Sequence, residues 1–227
     1  GFIESHTHYD ASMWWQPDLD PLPGYGATTM IMGNCGFSMA PLHPSQAAKE
    51  EVMGIFSFFE DIPLEPFKQF VPWDWHKWSE YRKSFESRVK VPLNYASFVG
   101  HIPLRIAAMG VEAWDRAATP DEVAVMAELL DDALSAGALG LSDNMHDHDG
   151  SNRPVPTLLA DDAEFTALFD VMERHPATCY QVIVDTFMRM NGPANLKRLE
   201  SLLAGRKIRV QIAGGIPTLF FQAGILP

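Results

Sequence analysis

The sequence has only two cysteines, Cys35 and Cys179, which excludes a framework of several disulfides and leaves either thiol able to bind a metal. It has no apolar run of the about 18 residues that a membrane span needs, and no basic segment ahead of an apolar one that would mark a signal peptide. Basic residues are also scarce, at 17 against 29 acidic ones, and the net charge of −12 disfavours nucleic acid and anionic membranes as partners. We therefore expect a cytoplasmic protein with no nucleic-acid or membrane partner.

The residues that are present indicate an α/β fold. Of the 227 residues 47% are apolar and 20% charged, which is typical of a globular domain. Helix signals alternate with six apolar, β-branched segments, and such strands predict a parallel sheet covered by helices on both faces. The clearest helix has Thr119 at its N-cap, Pro120 at its first position and Glu122 completing a capping box. The predicted strands are residues 1–8, 27–33, 94–100, 138–142, 178–184 and 207–213.

A pair of histidines at the end of the first strand is the strongest sign of chemistry. Side chains alternate between faces along a strand, so His6 and His8 point the same way. Neutral imidazole is a good ligand for zinc and similar divalent ions. Two histidines at this spacing also occur by chance, so the pair alone leaves a merely structural role open.

A cysteine just past the second strand strengthens the metal interpretation. Cys35 is flanked by Gly33 and Gly36, which permit sharp turns close to a ligand. Because adjacent parallel strands end at one edge, the Cys35 sulfur can reach an ion held by the histidines. The alternative is a small buried apolar side chain, which is also our expectation for Cys179.

Three further regions supply candidates. The loop after the fourth strand offers His146 and His148 as metal ligands and Asp147 as a metal-binding or catalytic carboxylate, with a solvated polar loop as the alternative. His101, at the end of the third strand, is a candidate for substrate hydrogen bonding or for orienting a ligand, although it could instead be satisfied inside the protein. Arg105 could bind a substrate carboxylate, or it could pair with a neighbouring acidic side chain.

The segments GFIESHTHYD (1–10), GATT (26–29), MGNCGFS (32–38), VGH (99–101) and GALGLS (137–142) follow one another along the chain. In this order they resemble the amidohydrolase superfamily, and within it a divergent branch of the N-acyl-D-amino-acid deacylases (D-aminoacylases). The resemblance implies a metal-dependent (β/α)8 TIM barrel, of which about six βα units are present in one catalytic domain over residues 1–227 that is truncated at both ends. It also implies hydrolysis of the amide of an N-acylated small molecule, with zinc held by His6, His8 and Cys35 activating a water.

The chain departs from the family on two strands. The family carries metal-binding histidines on strands five and six, and here residues 178–184 and 207–213 contain none. We therefore expect one zinc ion rather than two. Two alternatives stay open: a catalytically impaired barrel with a binding or assembly role, and a hydrolase of another amide, a lactone or a cyclic ureide. Since six strands cannot close an eight-stranded barrel, we also expect a further chain segment or a homo-oligomer to complete it.

Overall fold

The computed structural model describes residues 1–184 and 192–213. These residues form seven strand segments and seven α-helices, with short 3-10 turns between some of them. The strands are β1 Phe2–Glu4, β2 Ala27–Met32, β3 Asn94–Ser97, β4 Val99–Gly100, β5 Gly140–Asn144, β6 Cys179–Ile183 and β7 Arg209–Ala213. The helices are α1 Gln46–Glu60, α2 Leu64–Phe70, α3 Trp78–Arg88, α4 His101–Met109, α5 Pro120–Ser135, α6 Asp162–Glu173 and α7 Gly192–Leu203.

The strands form two parallel sheets that follow one another in chain order and are here together called the wall. Strands β1, β2 and β3 pair side by side, as do β4, β5, β6 and β7, and every pair is parallel. Only Phe98 separates β3 from β4, and its N–H donates to the Met32 carbonyl at 2.9 Å. Segments β3 and β4 therefore occupy a single strand position, and the wall has six positions within residues 1–184 and 192–213, as the sequence predicted.

Helix α5 begins where the sequence predicts. The Thr119 side chain accepts the Glu122 N–H, and the Glu122 carboxylate accepts the Thr119 N–H at 2.8 Å. This reciprocal capping satisfies two N–H groups that would otherwise lack partners in the first turn. Gly137 follows the helix with a φ of +99°, a left-handed conformation that glycine adopts without a steric penalty.

Several boundaries differ from those predicted. The connection after the second strand contains α1 and α2, which the sequence analysis missed, and α1 is capped by Ser45 and packs Val52 and Phe56 into the core. Helix α3 begins at Trp78, and its aromatic side chains Trp78, Tyr81 and Phe85 are buried. His101 was expected to end a strand but instead opens helix α4.

The core lies between the wall and the helices, and the two edges of the wall carry exposed apolar side chains. On β1, Phe2 and Ile3 are 73% and 65% exposed, and on β7 Val210 and Ile212 are 44% and 39% exposed. Closure of the barrel by a further segment or a second copy stays a prediction. Within residues 1–184 and 192–213, none of the helices combines the length and apolar character needed to cross a bilayer.

Candidate metal centre

Two imidazoles and one thiol converge just beyond the ends of β1 and β2. One ligand atom each from His6, His8 and Cys35 lies within 4.8 Å of the other two. The His6 Nε2 is 3.1 Å from the Cys35 sulfur, and the two imidazole rings meet edge to face at 5.2 Å. Within the described ranges no other set of three such side chains is gathered this closely. The structure thus brings together the three residues that the sequence singled out.

Cys35 reaches the histidines because the backbone around it turns sharply. Residues 33–36, here called the cysteine loop, contain three left-handed residues, with φ of +72° at Gly33, +56° at Cys35 and +78° at Gly36. A Cβ on Gly36 would lie 2.8 Å from the Asn144 nitrogen, which real Cβ atoms do not tolerate. Glycine is therefore needed at position 36 both for its conformation and for its lack of a side chain.

Side chains from several parts of the fold fix the cysteine loop. Asn34 lies inside it, and its amide nitrogen bonds the carbonyls of Thr7 and Ile31. Three N–H groups of the loop also donate to buried side chains: Gly33 to Asp10 at 3.1 Å, Cys35 to Gln181 at 2.8 Å and Gly36 to Ser142 at 3.1 Å. A left-handed cysteine persists only where its surroundings hold it in this way.

Both histidines are in the state that binds metals. Burial, followed by the proximity of His6, lowers the pKa of His8 to about 4, and burial also lowers the pKa of His6. Both imidazoles are consequently neutral at pH 7 and have a free lone pair. The His8 Nδ1 is buried and has no hydrogen-bond partner among the described residues.

Carboxylates surround the thiol. Burial, then the charges of Glu60, Asp147 and Asp10, raises the pKa of Cys35 to about 12. Glu60, the last residue of α1, lies 3.8 Å from the His8 Nε2, measured to its Oε1. Burial also raises the pKa values of Glu60 and Asp10 to about 7, and a cation in the space between the ligand atoms would favour the ionised forms of the thiol and of these carboxylates. Together, two neutral imidazole nitrogens and one sulfur suit a tetrahedral zinc ion that keeps a position for water.

The loop after β5 contributes one of its three predicted residues to the surroundings of the centre. Asp147 is tied to Asn144 by a 2.7 Å hydrogen bond and lies near enough to perturb Cys35. His146 is 40% exposed, and His148 bonds the Asp149 carbonyl and lies beside the Phe58 ring. Neither histidine is gathered with His6, His8 and Cys35, so their predicted role as ligands is not supported by their positions.

His101 and Arg105 lie inside the protein rather than on the rim. The His101 ring bonds Asp143 at 3.2 Å through Nδ1 and Glu164 at 2.7 Å through Nε2. Arg105 pairs with the same Glu164 and donates to the Arg116 carbonyl. Both side chains are fully buried. The structure therefore corrects the expectation that they meet substrate, and favours the alternatives of an internally satisfied histidine and an ion-paired arginine.

Two carboxylates make His101 a buried cation. Burial by itself lowers its pKa, but Asp143 and then Glu164 outweigh that effect and raise the pKa to about 9. The hydroxyl of Tyr180 also donates to Asp143 at 3.0 Å. This set of side chains, here called the ion network, consists of His101, Arg105, Asp143, Glu164 and Tyr180. It joins α4 and α6 to strands β5 and β6.

Sequence reasoning missed several residues that build the centre. Glu60 ends a helix that was not predicted, and Gln181 and Ser142 lie on strands more than 100 residues away from the cysteine loop. Asp10 differs, because it follows His8 by two residues and its position in the sequence therefore predicts that it orients a histidine ligand or caps the following turn. Its pKa is raised to about 7 by burial, against the effect of the Gly33 N–H.

Comparison with known sequences gives a consistent result. A profile of the amidohydrolase family matches residues 1–218. An uncharacterized protein of Mycobacterium tuberculosis is 35% identical over 196 residues, which are 82% of this chain and 31% of that protein. The N-acyl-D-aspartate deacylase of Alcaligenes xylosoxydans xylosoxydans is 37% identical over 144 residues, 63% of this chain and 25% of the enzyme. The chain thus spans about a quarter to a third of the length of these relatives.

Solved structures agree. One is an N-acyl-D-glutamate deacylase of Bordetella bronchiseptica, crystallised with zinc and a phosphonate mimic of the tetrahedral intermediate. It superposes with a TM-score of 0.67 at 25% identity, and the match covers 92% of this chain and 39% of the deacylase chain. A D-aminoacylase has the same fold, with a TM-score of 0.59 at 24% identity over 93% of this chain and 46% of its own. These likenesses confirm the predicted partial barrel and the resemblance to the D-aminoacylases.

Proposed function

This chain belongs to the amidohydrolase family, and from that premise we propose that it carries the metal centre of a hydrolase acting on N-acyl-D-amino acids or related amides. The observation that carries the proposal is the convergence of His6, His8 and Cys35 within 4.8 Å. The relatives support it, because the similar proteins include deacylases of N-acyl-D-aspartate and N-acyl-D-glutamate.

One zinc ion at these three ligands is the species we propose. When bound, zinc polarises the amide carbonyl and lowers the pKa of a coordinated water. The protein's own part is to keep both imidazoles neutral by burial and to hold Cys35 against His6 through the cysteine loop. Asp147 remains our candidate for the catalytic carboxylate, because Asn144 fixes its Oδ2 while the side chain lies near Cys35.

A second candidate function is a barrel that binds ligands or partners without catalysis. It is favoured by one observation: β6 and β7 supply no histidine, and the side chain that β6 directs to the cysteine loop is Gln181. A third possibility keeps the metal and changes the substrate to another amide, a lactone or a cyclic ureide. Metal content and substrate range distinguish the three.

The test measures bound zinc and hydrolysis in the full chain and its variants. We expect about one zinc per chain, lost in Cys35→Ser and His6→Ala but retained in Cys179→Ser, which removes the other free cysteine. Substrates are N-acetyl-D-aspartate, N-acetyl-D-glutamate and N-acetyl-D-leucine, with the L-isomers as controls. Folded protein without metal would refute the proposal, and metal-loaded protein inactive on every amide, lactone and ureide offered would favour the binding role.

A further inference from the structure

We propose that Gln181 is a positioning residue for the centre: from strand β6, its side-chain amide fixes the backbone of Cys35 and so places the sulfur against the histidines. The expected effect of Gln181 on metal binding rests on the proposed function, that is, on a metal ion bound by His6, His8 and Cys35. The structural claim, that Gln181 holds the cysteine loop closed, can be tested without any metal.

The contact that carries the inference is a buried hydrogen bond between distant parts of the chain. The Gln181 Oε1 accepts the Cys35 N–H at 2.8 Å, across 146 positions of sequence. Gln181 is completely buried, so water does not compete for either group. A hydrogen bond shielded in this way is costly to lose, because its donor would remain buried without an acceptor.

The conformation of Cys35 explains why such a bond is needed. Its φ of +56° is unfavourable for a residue with a side chain, so the loop would relax to another conformation if it were not held. Relaxation would rotate the Cα–Cβ bond and move a sulfur that now lies 3.1 Å from the His6 Nε2. Asp10 and Ser142 accept the N–H groups of the flanking glycines, and Gln181 accepts the backbone N–H of Cys35 itself.

The register between β5 and β6 explains how the Gln181 side chain reaches the cysteine loop. Ser142 on β5 and Gln181 on β6 are register partners, so their side chains leave the sheet on the same face. Ser142 accepts the Gly36 N–H and Gln181 accepts the Cys35 N–H, so the two adjacent strands hold two successive residues of the loop. The amide must present its oxygen to Cys35, since a backbone N–H needs an acceptor, and this leaves its nitrogen as a donor beside the loop.

The experiment uses four forms of the full chain, all with Cys179→Ser so that Cys35 is the single thiol. Gln181→Met keeps the length of the side chain but removes the acceptor, while Gln181→Glu keeps an oxygen that can accept. Tyr180→Phe is the matched control: it removes a buried hydrogen bond at the adjacent residue, to Asp143, and does not touch the cysteine loop. The fourth form carries no further change.

The first readout is the rate at which a thiol reagent modifies Cys35 in metal-free protein. We expect Gln181→Met to react about tenfold faster than the parent, because one lost hydrogen bond shifts the local opening equilibrium by about that factor. Gln181→Glu should react no faster than the parent, because its carboxylate keeps the acceptor and disfavours the thiolate, and Tyr180→Phe should remain near the parent rate. Equal rates in Gln181→Met and Tyr180→Phe would overturn the inference.

The second readout is the affinity for Co²⁺, with the thiolate-to-cobalt absorption band as the signature of a sulfur ligand. We expect Gln181→Met to lose about tenfold to a hundredfold in affinity and to weaken the band, with recovery in Gln181→Glu. If the parent binds no Co²⁺, the proposed function fails and the thiol rates still decide the role of Gln181. If the parent binds and Gln181→Met binds equally well with the same band, the positioning role fails alone.

Discussion

Replacing Glu164 by glutamine tests whether His101 and Arg105 serve the interior of the protein. The Glu164 carboxylate bonds the His101 Nε2 at 2.7 Å through one oxygen and Arg105 through the other, and none of the three side chains is more than 1% exposed. Glutamine keeps the shape but removes the charge, so buried Arg105 would lose its carboxylate partner and His101 would keep only that of Asp143. Breaking a buried pair from one side costs about 3–5 kcal/mol of unfolding free energy.

A matched exposed pair is the control for this prediction. Arg82 and Glu86 also form an Arg–Glu pair, at 2.8 Å, but their side chains are 46% and 47% exposed. Glu86→Gln should therefore cost no more than about 0.5 kcal/mol, since water screens the charges. Urea titration measures both variants, read as the shift in midpoint at constant slope. A loss in Glu164→Gln below about 1 kcal/mol, or equal to that in Glu86→Gln, would refute the assignment of these charges to a buried ion network.

Three further predictions concern His101, Gly36 and Glu60. The pKa of His101 is raised to about 9 from 6.5, so its charge should stabilise the fold fully below pH 6.5 and progressively less as the pH rises through 9, which urea midpoints across that range would show. Gly36→Ala should cost about 1–3 kcal/mol and weaken metal binding, whereas Gly54→Ala in α1, where an added Cβ meets nothing, should be neutral or stabilising in the same denaturation assay. Glu60→Gln removes the carboxylate beside His8 and should weaken zinc binding about tenfold in a chelator competition, and an unchanged affinity would place Glu60 outside the centre.

The parts of the site that the sequence predicts are those determined by local geometry. The spacing of two residues between His6 and His8 predicted that the pair would lie together, and they do, although β1 ends at Glu4 and both histidines lie in the segment that follows it. Cys35 lies between glycines that permit the turn bringing it to them. The capping of α5 is equally local, because its start depends on Thr119 and Glu122, three residues apart. In each case the decisive interaction spans a few residues, or two neighbouring strands that end at one edge.

The rest depends on contacts between distant segments. Gln181 supports Cys35 from 146 positions away, and nothing in its own neighbourhood distinguishes it from an ordinary strand residue. Arg105 is a case in which the residue type suggested a ligand for a carboxylate, and the partner is Glu164 of the same chain. Burial decided between the two interpretations, and burial of one particular arginine is a property of the assembled fold.

Strand β5 is longer than predicted, and its polar residues show why a sequence pattern can underestimate the length of a strand. The sequence analysis ended this strand at Ser142 because Asp143 and Asn144 are polar, yet all three residues lie in β5 and are completely buried. These polar side chains can be buried because successive residues of a strand point to opposite faces, and each face supplies them with hydrogen-bond partners. Ser142 and Asn144 face the centre, where they bond the cysteine loop and Asp147, while Asp143 faces the helices and bonds His101.

The pleat of β5 therefore separates two polar systems with different physical tasks. On one face, burial keeps the imidazoles neutral, raises the pKa of Cys35 to about 12 and raises those of Asp10 and Glu60 to about 7, so these acids would ionise fully at neutral pH only beside a cation such as a bound divalent ion. On the other face, the cations His101 and Arg105 are matched by the anions Asp143 and Glu164 within the protein itself. A buried set of charges that is already balanced has no electrostatic need of a ligand, whereas an unbalanced one does. This difference in balance, more than the presence of histidine on either face, distinguishes the candidate metal centre from the network that stabilises the fold around it.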